Sequence, residues 1–368
     1  MPPAVPIERD LRLDLFRGLA LWFIFIDHIP DNFASWITVR TYGFSDASEI
    51  FVFISGYTAA FVYGRVMRNR GVVLASASIL RRVGQIYLAH IFLFTIFMAE
   101  IAHVSRSFEN PLYAEEMNIL DFLQTPDVTV VQALLLKFTP VYMDILPLYI
   151  VLLALFPLAL WALQRAATFT LAMSALLYAL TWWFDWNVPA YPGGYWYFNP
   201  FAWQLLFVFG AWCALEGAER LRALWQSRWV LVLSGLYVLA SLLIVLAWRI
   251  PLTAAYLPVW LTDKVGSLDK TNLDIVRLTH FIALMVLMVR LLPADWKGLR
   301  SWIFRPAILT GQHSLAIFCV GVVLSFLAHF LIVELSGGIA TQIAVSVSGV
   351  LVMIGIASMM SWYKAAKR

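Results

Sequence analysis

Cysteine and charged residues are both scarce in this chain of 368 residues. Its two cysteines, Cys213 and Cys319, lie inside apolar runs, so neither a disulfide framework nor a thiolate metal site is expected. Charged residues make up 13% of the chain, about half the share that soluble domains carry. The net charge of +4 is small and its carriers are scattered, which argues against a nucleic-acid partner.

Familiar catalytic motifs are also missing from the sequence. It has no glycine-rich phosphate loop, no pair of histidines at metal-ligand spacing and no serine in a nucleophile-elbow context. The sequence therefore predicts no metal site. Chemistry has to be sought in single polar residues within apolar segments.

Apolar residues are abundant, because 62% of the chain is hydrophobic. Runs of roughly 20 such residues, the length that crosses a bilayer as a helix, recur from end to end. The sequence therefore predicts an all-α, polytopic integral membrane protein with about ten transmembrane helices in a single domain, 1–368. The predicted spans lie near 13–30, 46–66, 80–104, 141–163, 168–184, 200–217, 229–249, 272–292, 306–333 and 339–363.

The distribution of basic residues predicts the orientation of these spans. With both termini in the cytosol, 19 of the 26 lysines and arginines fall in cytosolic loops and flanks. The exceptions fall outside, and they are Arg40, Arg106, Lys137, Arg249, Lys264, Lys270 and Arg277. In this orientation the segments 105–140, 185–199 and 250–271 are long external loops, and aromatic residues are frequent in them.

Two costly polar residues lie in the first predicted span. Arg17 is near its cytosolic end, and His28 is near its outer end. The two are 11 residues apart in the sequence, or almost three helical turns, so their side chains share one face and stand ~16 Å apart along the axis. Because ionisable groups in a membrane are expensive, we expect this pair to be functional. The alternatives are an interfacial arginine paired with Asp14 and a helix-end histidine that bonds to the backbone.

Further candidates open the second and third spans. Glu49 begins the second span at the depth of His28, where a carboxylate would orient the imidazole or, alternatively, complement the helix dipole. Arg81 and Arg82 open the third span at the level of Arg17. Three guanidinium groups at one level would bind a phosphorylated ligand, although anchoring on the cytosolic side also explains Arg81 and Arg82.

Several stretches of the chain resemble a known family. The arginine and histidine of the first span, Arg17 and His28, match the signature of the transmembrane acyltransferase superfamily. Within it, the chain resembles the OpgC family, bacterial inner-membrane proteins implicated in succinylating osmoregulated periplasmic glucans. The similarity covers nearly the whole chain and is carried by DASEIFVFISGYTAAFVYGR, DILPLYIVLL, FNPFAWQLLFVFGAW and GQHSLAIF.

The resemblance implies roles for these residues. His28 would be the catalytic base, and Arg17 with Arg81 or Arg82 would contact an acyl-CoA donor that enters from the cytosol. Glu49 stands where many members of the superfamily have aspartate. The third span contains fewer arginines than that of many relatives and lacks their proline.

The resemblance also implies a reaction, the transfer of succinyl from succinyl-CoA across the inner membrane onto hydroxyls of periplasmic glucans. The acceptor is expected on the outer side, where indole faces suit sugar rings and amides suit hydroxyls. The residues proposed to bind it are Trp196, Asn199, Trp203 and Gln204. The expected partners are the glucan and membrane lipids, no nucleic acid is expected, and a homo-oligomer is compatible with the sequence. The alternatives are a transporter or flippase of an anionic or lipid-linked solute, and an O-acetyltransferase that acts on another surface polysaccharide.

Overall fold

The computed structural model describes residues 10–250, 258, 260–261 and 266–367. The described residues form helices and loops without a named strand, and an isolated bridge joins Pro189 to Tyr195. The all-α prediction is therefore confirmed. Most of the predicted loop 250–271 lies outside the described residues.

Ten helices of the described residues are labelled here in chain order. They are α1 (Leu11–Asp27), α2 (Ala47–Arg70), α3 (Val72–Ser107), α4 (Ile145–Phe184), α5 (Pro200–Trp212), α6 (Arg228–Arg249), α7 (Ile275–Leu291), α8 (Arg305–Gln312), α9 (Ser314–Glu334) and α10 (Ile339–Ala366). Further helical segments connect or extend them. They are Phe33–Ile37, Val39–Thr41, Leu112–Glu116, Leu120–Gln124, Pro126–Leu134, Cys213–Gly217, Ala218–Arg220, Arg222–Gln226 and Lys297–Arg300.

Seven of the described helices are long and apolar enough to cross a membrane, with α5 counted through to Arg220. Helices α1 and α7 have only 17 residues each, somewhat fewer than the ~20 that span the hydrocarbon layer. Conversely, α4 has 40 residues, about twice that length. The number of ten crossings stays a prediction.

The bundle formed by these helices has two ends. At one, α1 ends at Asp27 and α2 begins at Ala47, and this is called the His28 end. At the other, α1 begins at Leu11 and α2 ends at Arg70, and this is called the Arg12 end.

Helix α4 reverses direction at Ala166, where φ is −147° and ψ is 66°. Before this break, the Gln164 amide donates to the backbone carbonyl of Gly64, near the Arg12 end of α2, at 2.8 Å. After it, the Tyr178 hydroxyl donates to the carbonyl of Leu273, just before α7 begins, at 2.8 Å. The break lies between the fourth and fifth predicted spans, so α4 consists of two helical segments that correspond to those two spans.

Glycines let the helices around α1 and α2 approach closely. A Cβ atom on Gly18 would overlap the backbone carbonyl of Ala307 in α8, and one on Gly311 would overlap the carbonyl of Asp14 in α1. Small residues at such crossings are typical of helices that pack in membranes. The GQHSLAIF stretch therefore contributes Gly311 to the contact that holds α1, the helix that ends at His28.

We expect Gly18→Ala to destabilise the bundle by about 1–3 kcal/mol, because α1 and α8 must move apart to admit the methyl group. Gly84→Ala in α3 is the matched control. Its Cβ would meet no atom within 4 Å, so the higher helix propensity of alanine should stabilise the protein slightly. Melting temperatures of the purified variants in one detergent measure both effects. Equal melting temperatures for the two variants would contradict the close crossing.

Candidate active site

His28 lies at the C-terminal end of α1. Its backbone N–H donates to the carbonyl of Ile24 at 3.0 Å, and the chain then turns sharply at Asp31, where φ is 49°. The imidazole stacks on the ring of Tyr142, with the centroids 4.2 Å apart and the planes 21° from parallel. No hydrogen bond joins the imidazole to any of the described residues, and its buried Nδ1 has no partner there. The ring is therefore held by stacking and keeps its nitrogens available.

The imidazole of His28 faces a cavity of about 930 Å³ at this end of the bundle, called the His28 cavity. That volume suits a sizeable small-molecule group. Its charged lining residues are Asp27, Arg40, Asp46, Lys137, Asp144, Lys270 and Arg277. Its aromatic lining residues include Tyr142, Tyr191, Tyr195, Trp196 and Tyr197.

A buried network of charges forms one wall of the His28 cavity. The Lys270 ammonium donates to Asp46 Oδ2 at 2.7 Å. Arg277 donates to the same oxygen at 3.1 Å and to Glu49 Oε1 at 2.8 Å. Burial alone would lower the pKa of Lys270, but the Asp46 carboxylate raises it above its usual value. Two cations and two carboxylates thus balance one another and join the start of α2 to the start of α7.

The structure places Glu49 differently from the expectation that it orients His28. Its side chain is fully buried, and besides Arg277 it accepts the backbone N–H of Asp46 at 2.9 Å. Asp46 and Glu49 thereby form a capping box, in which each satisfies a free N–H group of the other's turn. No described contact joins the Glu49 carboxylate to the imidazole.

The three arginines assigned to the donor lie on different helices and have different surroundings. Arg17 donates to the Thr58 hydroxyl at 2.8 Å and so faces α2. Arg82 donates to Gln85 at 3.2 Å within α3, and Arg81 is exposed. Helix α3 packs on α2, α4 and α9, whereas α1 packs on α2, α8 and α9. Their role as donor contacts stays a prediction.

Of the four residues predicted to contact the acceptor, the structure brings Trp196 to the wall of the His28 cavity. Its indole Nε1 is buried and has no hydrogen-bond partner among the described residues. The face of an indole beside tyrosines is a suitable surface for a sugar.

The other three do not line the His28 cavity, and their polar atoms bond to other parts of the protein. Asn199 is fully buried and caps the start of α5. The Trp203 indole, also fully buried, donates to the carbonyl of Lys270 at 3.0 Å. The Gln204 amide donates to the carbonyl of Ser174 at 2.9 Å. This placement departs from the expectation of direct sugar contacts, because helix spacing alone does not tell which side of a helix faces a cavity.

Sequence reasoning missed most of the cavity's charged wall, although one signal pointed to it. Four of the seven outer exceptions to the positive-inside pattern line the His28 cavity, namely Arg40, Lys137, Lys270 and Arg277. Lys264, another exception, lies outside the described residues. Basic residues that depart from the positive-inside rule therefore indicated which outer segments form the His28 cavity.

An apolar groove of about 630 Å³ runs along α1, α2 and α7, and is called the α1 groove. Three arginines line it toward the Arg12 end, namely Arg12, Arg222 and Arg290. At the other end its lining reaches Phe23, Ile50 and Phe281. Between one and four residues further along the same three helices, the lining of the His28 cavity includes Ile24, Ala47 and Arg277. The two spaces therefore follow one another along the same helices.

A family model described as OpgC protein matches residues 9–365, nearly the whole chain. The chain belongs to the OpgC family. OpgC membership implies a membrane acyltransferase that acts on glucans. It also places His28, its cavity and the α1 groove within the matched region of this OpgC-family protein. Comparisons with curated proteins and with solved structures gave no match.

We expect Arg277→Gln to cost about 3–5 kcal/mol of stability, because it leaves Glu49 and part of the Asp46 charge buried without a partner. The double variant Glu49→Gln with Arg277→Gln should recover part of that loss. Arg220→Gln is the control, since its ion pair with Glu216 is about half exposed and should contribute less than about 1 kcal/mol. Melting temperatures in detergent give the comparison. Equal losses for Arg277→Gln and Arg220→Gln would contradict the buried network.

Proposed function

We propose that this OpgC-family protein transfers a succinyl group from succinyl-CoA in the cytosol to hydroxyls of periplasmic glucans, in the bacterial inner membrane. The observation that carries the proposal is the His28 imidazole, which has no hydrogen bond to the described residues and faces a cavity with an aromatic wall. The orientation follows the basic residues, with the Arg12 end in the cytosol and the His28 end in the periplasm.

His28 is the general base in this mechanism. The imidazole accepts the proton of the glucan hydroxyl while the hydroxyl oxygen attacks the carbonyl carbon of the thioester. The new C–O ester bond forms, the C–S bond breaks, and the proton passes from His28 to the departing thiolate of CoA. Stacking on Tyr142 keeps the ring in one plane, so the acceptor and the acyl carbon meet in a fixed geometry.

The α1 groove offers the donor a route to His28. Its apolar walls suit a thioester arm, and its three arginines suit the phosphates of CoA. From Leu13 to Phe23, both in the groove lining, α1 rises ~15 Å, which is comparable with the length of a pantetheine arm. This route differs from the one that the resemblance implies for Arg81 and Arg82, and experiment separates the two.

The transporter alternative has less support. A solute path lined by arginines would need an open polar passage, whereas the α1 groove is apolar between its ends. Acyl-CoA and free glucan distinguish the two functions in a thermal-shift assay, because stabilisation by CoA thioesters is expected only of the acyltransferase. An O-acetyltransferase acting on another surface polysaccharide would use the same base, and it differs in donor and acceptor.

We expect His28→Ala and His28→Asn to lower acyl transfer by at least about 10²–10⁴-fold, because both remove the base. His28→Asn keeps hydrogen-bonding capacity, so its loss separates basicity from positioning. Mass spectrometry of periplasmic glucans from cells with the parent, each variant or no gene measures the acyl group and its acceptor. Melting temperatures near that of the parent would show that the variants fold. Succinylated glucans in cells with a folded His28→Ala variant would refute the mechanism.

The two donor routes predict different outcomes for paired variants. If the donor lies in the α1 groove, Arg222→Gln with Arg290→Gln should raise the apparent KM for acyl-CoA by about tenfold or more, through lost phosphate contacts. The KM for the glucan should hardly change. Arg81→Gln with Arg82→Gln should leave both constants near those of the parent.

Arg228→Gln is the control for these variants, because Arg228 is exposed at the Arg12 end and does not line the groove. The opposite pattern, a raised donor KM for the α3 pair alone, would return the donor to Arg81 and Arg82.

A further inference from the structure

A second cavity adjoins the His28 cavity at the same end of the bundle. Its volume is about 600 Å³, and it is called the arginine cavity because Arg40 and Arg249 both line it. It shares Asp27, Arg40 and Tyr142 with the His28 cavity. Since the Tyr142 ring stacks directly on His28, the two spaces meet beside the imidazole. The arginine cavity therefore lies next to the imidazole.

The two guanidinium groups of the arginine cavity are not committed to the protein's own carboxylates. Neither Arg40 nor Arg249 forms an ion pair within the part of the chain that the structure describes. Arg249, at the end of α6, is half-buried, and its Nε is buried without a hydrogen-bond partner there. The Asp27 carboxylate on the shared wall accepts the Thr38 hydroxyl at 2.8 Å.

Arg40 lines both cavities, and its charge acts on the imidazole and on the second arginine. The charges that act on His28 are those of Lys270, Asp46 and Arg40. Those that act on Arg249 are the charges of Arg40 and Asp27. Lys270 already holds Asp46 at 2.7 Å. Arg40 is therefore a cation beside the imidazole that remains able to bind an anion of the substrate.

We propose that Arg40, with Arg249 beside it, binds the free carboxylate of a dicarboxylic acyl group whose thioester carbonyl lies at His28. The site thereby selects succinyl over uncharged acyl groups of the same length. This inference rests on the proposed acyl transfer and adds the residue that recognises the carboxylate of the acyl group.

The chemistry of the two side chains suits this role. A guanidinium group binds a carboxylate through two parallel N–H···O bonds, with a geometry that lysine does not reproduce. Two neighbouring guanidinium groups repel each other, and an anion between them relieves that repulsion. An uncharged acyl chain would instead leave both guanidinium groups without a carboxylate to bind. The site therefore selects against an uncharged donor because that donor does not form these ion pairs.

The test compares two donors of equal length on the purified protein, with a neutral glucan as acceptor. Succinyl-CoA and butyryl-CoA both carry four-carbon chains, and butyryl has a methyl group where succinyl has the carboxylate. For Arg40→Gln, we expect the ratio of kcat/KM for succinyl-CoA to that for butyryl-CoA to fall by about 30-fold, or about 2 kcal/mol at about 1.4 kcal/mol per tenfold. Arg249→Gln should lower it less, and Arg40→Lys should restore part of it.

Arg106→Gln is the matched control. Arg106 is another exposed basic residue at the His28 end, but it lines neither cavity. The ratio of kcat/KM for succinyl-CoA to that for butyryl-CoA should be the same for Arg106→Gln as for the parent. If Arg40→Gln lowered the transfer of both donors equally, the ratio of kcat/KM for succinyl-CoA to that for butyryl-CoA would be unchanged. Arg40 would then not recognise the acyl carboxylate, and the inference would fail.

Two further outcomes separate this inference from the proposed function. A parent protein that transfers neither acyl group to glucan refutes the acyl transfer itself, whereas a parent that transfers butyryl as well as succinyl refutes only the selectivity. A second arm uses a glucan that already carries succinyl groups, which supplies a carboxylate from the acceptor. An effect of Arg40→Gln that follows the charge of the acceptor, and not that of the donor, would overturn the assignment.

Discussion

The buried pairing of two cations with two carboxylates is the interaction on which the candidate site depends. Asp46 and Glu49 begin α2, while Lys270 and Arg277 flank the start of α7. Charges withdrawn from water are tolerated only when each has partners, so these segments must come together in one arrangement. The loop around Lys270 also receives the Trp203 indole, which ties α5 to the same place. The network thus builds one wall of the His28 cavity by joining three helices.

Polar chemistry is concentrated at one end of the bundle because the apolar interior has no other place for it. His28 terminates a helix, Asp46 precedes one, and Tyr142 lies in a loop before another. Backbone and charged groups at helix ends find partners more easily than groups in mid-helix. A rigid scaffold of packed helices therefore presents its reactive side chains from helix ends, where substrate on that side of the membrane has access.

The helices could be predicted from the sequence, because hydrophobic runs are a property of the chain itself, and the role of His28 stays a prediction. The surroundings of Glu49 and Gln204 could not, because a polar side chain on a helix finds its partner only when a distant segment folds against it. Arg277, 228 positions from Glu49, is such a partner. The break at Ala166, in contrast, was visible in the sequence, because the fourth and fifth predicted spans separate there.

The positions of the two spaces along α1 bear on which substrate crosses the membrane. A glucan is too large and polar for an apolar groove, whereas an acyl group on a slender arm can lie in one. The α1 groove is apolar between its arginines and Phe23, and the His28 cavity beyond it is charged and aromatic. The two spaces approach one another where Phe23 and Ile24 follow each other in α1. In the proposed reaction, the donor and the acceptor would each meet walls that suit their chemistry, and only the acyl group would pass through the hydrophobic layer.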